Sequence, residues 1–169
     1  MNDTIAKFGW PATLVAEYDH WLVLLRPAQP TLGSLILAAK SDATAFGDLP
    51  GEAHAELKIV TASIEAALRQ AIDYERINYL MLMMVDPYVH FHVLPRYEGE
   101  RSAAGLAIAD AGWPGQPDLG TAVKLDEERR DARRAGRKPY FAERFSLTQR
   151  SVSASAASTE STTSTPSAW

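Results

Sequence analysis

One run with a helical period, set between runs with a strand period, narrows the folds open to this chain. From Pro50 onward, Leu57, Val60, Ile64, Leu68 and Ile72 recur at spacings of three and four, with Glu52, Glu56, Lys58, Glu65 and Arg69 elsewhere around the turn. That predicts one amphipathic helix, and Pro50 suits its first turn, where a missing N–H goes unnoticed. Before it, Thr13 to Ala16 and Trp21 to Leu25 are apolar runs joined by Tyr18, Asp19 and His20, a hairpin signal, and GSLILAA supplies a third strand candidate. After it, INYLMLMMV and PYVHFHVLPRY read as a further pair of strands separated by a DP turn. The order β-β-β-α-β-β predicts an α+β fold: an antiparallel sheet of about five strands with a main helix on one face.

The chain has 169 residues, a one-domain length, and the expected division is a folded domain over residues 1–120 followed by two extensions. Between Lys124 and Arg150 lie nine of the 17 Lys and Arg against five Asp and Glu, and DEERRDARRAGRK places Asp126 and Glu127 within helical reach of Arg130. This predicts a charged, solvated helix over 121–150. A nucleic-acid patch is the sharper alternative, but the interleaved aromatic residues of a single-strand binder are absent, and the net charge of -4 does not favour a polyanion partner. Eleven of the last 19 residues are Ser or Thr, so 151–169 is expected to be disordered. There is no internal repeat.

The chain has no cysteine, which excludes disulfides, thiol catalysis and cysteine-ligated zinc. No segment approaches the roughly 18 apolar residues of a membrane span, and MNDTIAKFGW has no basic stretch leading into an apolar one. The expectation is a cytoplasmic protein without a membrane partner.

Two of the four histidines stand two apart in the last strand. Alternation sends Val89, Phe91 and Val93 to the core face and Tyr88, His90, His92 and Leu94 to the other, expected to be uncovered, with the imidazoles about 7 Å apart at Cβ. Near their ordinary pKa, imidazoles serve as nucleophiles, proton carriers or metal ligands. The plain alternative is a pair of half-exposed polar residues on an open sheet. A metal site is a third reading, but it needs another ligand, and His20, His54 and the carboxylates have no spacing that supplies one.

YVHFHVLPRY resembles the signature strand of the histidine triad (HIT) superfamily, three histidines alternating with apolar residues, with Tyr88 in the place of the first. WLVLLRPAQPTLGSLILAAKSDATAFGDL is similar to that superfamily's paired strands, Gly-containing turn and third strand, and the likeness covers about residues 10–120. WPG at Trp113 to Gly115 is similar to a bacterial diadenosine tetraphosphate hydrolase-like branch that commonly lacks the first histidine. The resemblance implies a hydrolase or nucleotidyl transferase acting on a nucleoside phosphate or dinucleoside polyphosphate. His90 would be the nucleophile that forms a nucleotidyl-histidine intermediate, and His92 the residue that binds the phosphate oxygens. It also implies a homodimer, and no cofactor beyond magnesium carried by a polyphosphate substrate. Tyr88, Arg26, Ser34 and Arg96 are the candidate substrate contacts: Arg26 stands near the family's ribose-binding Asn or Asp, and Ser34 where a histidine often follows the Gly. Met83 to Val85 replace the Gly-Gln-Ser or Gly-Gln-Thr that donates hydrogen bonds to phosphate, which leaves open a nucleotide-binding protein with weak or no catalysis.

Overall fold

A computed structural model of the chain describes residues 1–103 and 105–125. The expected charged helix over 121–150 falls outside the described residues from residue 126 on, and the expected disordered tail falls outside them entirely.

The two apolar runs near the N-terminus form the antiparallel hairpin β1 (Leu14–Glu17) and β2 (Trp21–Leu25), with a register shift between Leu14 and Ala16. After a short strand β3 (Ala28–Gln29), β4 (Leu35–Ala39) returns antiparallel to β2. The predicted helix is α2 (Gly51–Ile72), with Pro50 as its N-cap and Asp73, at φ 48°, as its C-cap. β5 (Arg76–Leu80) and β6 (His90–Arg96) follow, and the main sheet has the order β1-β2-β4-β6-β5. The fold is therefore α+β, with the five-stranded antiparallel sheet and single main helix that the periodicities predict. The fifth strand is shorter than expected: it stops at Leu80, and residues 81–89 form the connection.

Alternation assigns each sheet residue to a face. Trp21, Val23, Leu35, Leu37, Ala39 and Val93 pack with Val60, Ile64, Leu68 and Ile72 of α2 in the main core. Burying such side chains stabilises the fold by roughly 1.5–3 kcal/mol each before the entropy cost of ordering is met. Two polar contacts orient the helix. Trp21 Nε1 donates to the Ala53 carbonyl at 2.8 Å, and the Glu56 carboxylate accepts the backbone N–H groups of Asp19 and His20 at 3.0 and 2.7 Å, so the β1–β2 turn is held by the helix.

The opposite face is not open, contrary to the expectation from the sequence. A short N-terminal helix, α1 (Asp3–Lys7), lies on it and buries Ile5 against Leu22, Leu24, Ile36 and Ala38, with Phe8 and Leu14 alongside. Asn2 accounts for the placement. Its side chain caps α1 by accepting from Ile5 N at 3.1 Å, while its Nδ2 donates to the carbonyls of Ala39 and Ser41 at the end of β4. Past Phe8 the chain reverses at Gly9, whose φ of +90° and closeness to the Thr13 side chain leave no room for a Cβ.

Two small sheets complete the described body. β7 (Glu100–Ala103) and β8 (Leu106–Ala109) make a hairpin, and β9 (Val123–Lys124) pairs with β3. The β3–β9 pairing carries the folded body to Leu125, whose N–H donates to the Pro27 carbonyl at 3.0 Å, past the expected limit at residue 120. No helix among the described residues is long and apolar enough to cross a membrane.

Candidate functional site

Register places the two histidines beside the central strand of the sheet, β4. His90 stands opposite Ala38 and His92 opposite Ile36, with Leu22 and Leu24 on the next strand. Small Ala38 leaves space for an imidazole beside it, and β-alternation points both rings to the α1 side. Their centroids are 5.1 Å apart, and the Phe8 ring stands 5.5 Å from His90 and 5.7 Å from His92. His90 is 0% exposed and His92 7% exposed, so neither is the half-exposed polar residue of an open sheet.

The hydrogen bonds give the two rings opposite polarity. His90 Nδ1 lies 2.8 Å from the Tyr88 carbonyl, an acceptor, so the hydrogen belongs on Nδ1 and the lone pair on Nε2. That Nε2 is buried and has no hydrogen-bond partner among the described residues. At His92 the arrangement is reversed: Arg26 Nε, which can only donate, approaches Nδ1 at 3.4 Å and leaves the hydrogen on Nε2. The His92 pKa is pushed down to about 4, mainly by burial, then by His90 and Arg26, with Asp86 acting weakly in the other direction. His92 is thus a neutral N–H donor beside a ring whose outer nitrogen, in the tautomer set by the Tyr88 carbonyl, carries the lone pair. An unprotonated imidazole nitrogen is a nucleophile, and a neighbouring N–H can stabilise an oxyanion.

The other candidates fall elsewhere. Tyr88 reaches the site through its backbone carbonyl. Ser34 shares the parity of the histidine face, but it is fully buried and its hydroxyl donates to the Thr31 carbonyl at 2.6 Å inside the Pro27–Ser34 loop. Arg96 is buried in a two-pronged ion pair with Asp110, Nε to Oδ2 at 2.6 Å and Nη2 to Oδ1 at 3.2 Å, and donates further to Asn78 Oδ1 and the Gly115 carbonyl. Both side chains are therefore occupied in contacts with loops. Arg26 alone of the four brings its side chain to the histidines. Met83 to Val85 sit in the connection before β6, with Met84 94% and Val85 81% exposed.

Sequence reasoning missed Phe8, Asp86 and Lys7. Lys7 Nζ pairs with Asp86 at 2.7 Å and ties α1 to the β5–β6 connection beside the histidines. The available signal was Asn2 three residues before Ile5, a capping spacing with apolar residues at Ile5 and Phe8. Among the described residues no group of three His, Asp or Glu side chains is placed to hold a metal ion. His54 packs edge-on against Phe46, with ring centroids 4.8 Å apart, on the α2 side of the sheet.

No protein-family model matches the chain, and no curated protein matches it. Solved structures do. A histidine triad (HIT) protein from Sinorhizobium meliloti 1021 superposes with a TM-score of 0.63 at 23% identity, covering 88% of this chain and 95% of that one. A histidine triad protein from Bradyrhizobium japonicum gives 0.62 at 17%, covering 88% and 96%. A hypothetical histidine triad nucleotide-binding protein from Sulfolobus tokodaii gives 0.62 at 14%, covering 87% and 92%. The fold of this chain is the fold of histidine triad proteins.

Proposed function

We propose that this protein is a nucleotide hydrolase or nucleotidyl transferase that works through a covalent nucleotidyl-histidine on His90, with dinucleoside polyphosphates as the first substrates to test. The observation that carries the reading is the buried, unpartnered Nε2 of His90, made the basic nitrogen by the bond from Nδ1 to the Tyr88 carbonyl. Sharing a fold with a histidine triad nucleotide-binding protein supports the substrate class.

In the first step the His90 Nε2 lone pair attacks the α-phosphorus. The P–N bond forms, the P–O bond to the leaving phosphate or polyphosphate breaks, and the leaving group takes the electron pair. The phosphorylated ring is cationic, and its Nδ1–H stays bonded to the Tyr88 carbonyl. The His92 Nε2–H donates to a non-bridging phosphate oxygen as negative charge grows there. Water then attacks phosphorus, the P–N bond breaks, the nucleoside monophosphate departs, and the water's proton leaves with the products or to solvent; an alcohol in place of water makes the reaction a transfer. The Phe8 ring stands 5.5 Å from the His90 ring and would have to move aside for a nucleotide to reach Nε2.

A second reading, nucleotide binding with slow turnover, is favoured by Met83 to Val85, whose side chains offer phosphate no N–H or O–H donor. One experiment separates the two. Wild-type protein mixed with diadenosine tetraphosphate and quenched carries an acid-labile adenylyl mass on the peptide containing His90, and His90→Asn carries none while still binding the nucleotide. Binding without adduct or product in the wild type supports the second reading. Equal turnover by His90→Asn removes His90 from the chemistry.

A further inference from the structure

Arg26 occupies a position from which two different roles are open. A guanidinium near a nucleotide site can bind phosphate directly, and its planar fork suits that. Here Nε and one prong of the fork are committed otherwise. Arg26 Nη1 donates to the Ala28 carbonyl, the backbone N–H of Arg26 donates to the Ser34 carbonyl at 3.1 Å, and its own carbonyl accepts from Gln29 Nε2 at 2.5 Å. Ala28 is itself fixed by the pairing of β3 with β9. Backbone and side chain are thus held at both ends, and what the side chain turns toward the sheet is Nε, aimed at His92 Nδ1.

Building on the proposed function, we infer that Arg26 is a positioning residue that locks the His92 ring in the tautomer whose Nε2 carries the hydrogen, so that His92 presents a donor where His90 presents a lone pair. A neutral imidazole without a partner at Nδ1 exchanges between two tautomers, and in the wrong one it would turn a lone pair toward the phosphate oxygens, which repel it. The guanidinium also opposes a proton at Nδ1 by like charge, in line with the depressed His92 pKa. The other groups near the ring do not do this work. His90 lies beside it, Phe8 covers it edge-on, and Asp86, paired with Lys7, favours the protonated ring only weakly.

Three substitutions separate this role from phosphate binding. In Arg26→Gln the side-chain amide nitrogen is as many bonds from Cα as Arg Nε, so a donor returns to the same place without the charge. Arg26→Lys keeps the charge and puts a methylene there, and Arg26→Met keeps neither. The full chain labelled with 15N-histidine, its signals assigned with His92→Asn and His90→Asn, reports the tautomer from the nitrogen resonances at pH 7. The wild type and Arg26→Gln show a pyridine-like Nδ1 and a pyrrole-like Nε2 at His92, whereas Arg26→Met and Arg26→Lys show averaged or reversed resonances. With diadenosine tetraphosphate, kcat falls on the order of tenfold in the Met and Lys variants, less than the roughly hundredfold expected for removing the donor itself, and KM stays nearly constant. Arg26→Gln recovers most of that loss. A wild-type His92 with its hydrogen on Nδ1, or an Arg26→Met protein with the wild-type pattern, overturns the inference. So does a rise in KM that Lys rescues and Gln does not, which would assign the guanidinium to phosphate. A protein that turns over no nucleotide would defeat the proposed function and leave the nitrogen resonances to decide the role of Arg26.

Discussion

Cutting the Arg96–Asp110 pair should cost this protein stability and leave the proposed nucleotide binding alone. The side chains are 5% and 1% exposed, and the carboxylate also accepts the N–H groups of Tyr97 and Gly112, so Asp110 gathers one end of β6 and the loop that follows β8. Asp110→Ala leaves a buried guanidinium with two neutral acceptors, Asn78 Oδ1 and the Gly115 carbonyl. Breaking a buried pair from one side costs about 3–5 kcal/mol, because the surviving charge has lost its counterion. For a folded body of this size the unfolding entropy is on the order of 0.25 kcal/mol/K, so the expected fall in Tm is about 12–20 °C. Arg96→Met should cost a similar amount. The double variant Arg96→Met/Asp110→Leu should recover much of the loss, since removing both charges leaves none stranded. Urea denaturation at pH 7 on the four proteins of the cycle gives the coupling energy, and nucleotide titration well below each Tm gives affinity. A loss under about 1 kcal/mol for Asp110→Ala, or single losses that simply add, would refute the argument. So would an intact Tm with weakened nucleotide binding in Arg96→Met, which would return Arg96 to the phosphate.

Two further outcomes follow from the histidine face. His92 has a folded pKa of about 4 against an ordinary 6.5, so between these values the unfolded chain binds more protons and stability falls with falling pH. The contribution is fully present above pH 6.5, is lost by about pH 4, and amounts to at most about 3 kcal/mol. Comparing the drop in Tm from pH 7 to pH 4.5 with that of His92→Asn isolates it, and equal drops would show that His92 titrates alike in both states. Ile5→Ala, at a fully buried anchor of α1, should cost about 2–5 kcal/mol and loosen the cover over the histidines. Faster modification of His90 by diethyl pyrocarbonate checks the second part, and an unchanged rate would show that α1 is not what shields Nε2.

The main sheet and α2 were legible in the sequence because both are read from periodicity, and Leu57 to Ile72 or Trp21 to Leu25 serve one face throughout. The parity of His90 and His92 was legible for the same reason. What covers them was not. α1 is five residues long and presents a single fully buried apolar anchor, so nothing in its own composition distinguishes it from a loose terminus. Its position depends on Asn2 meeting carbonyls at residues 39 and 41, a contact between segments far apart in the chain. The partners of Arg96 and Ser34 were not legible for a related reason. A charged or hydroxyl side chain beside a site motif resembles a ligand contact until its partners are known, and the partners here, Asp110 and Thr31, lie in loops without periodic signal. Arg26 was legible as a candidate contact, but the atom it faces follows from how the β2–β4 connection folds back.

Tyr88 meets the histidine pair through its backbone and not through its side chain. The acceptor for His90 Nδ1 is a main-chain oxygen, which every residue possesses. Substitution at residue 88 therefore leaves the hydrogen on His90 Nδ1 in place as long as the backbone keeps its course. The half-buried side chain there is decoupled from the choice of His90 tautomer, so that wall can be reshaped without moving the hydrogen on Nδ1.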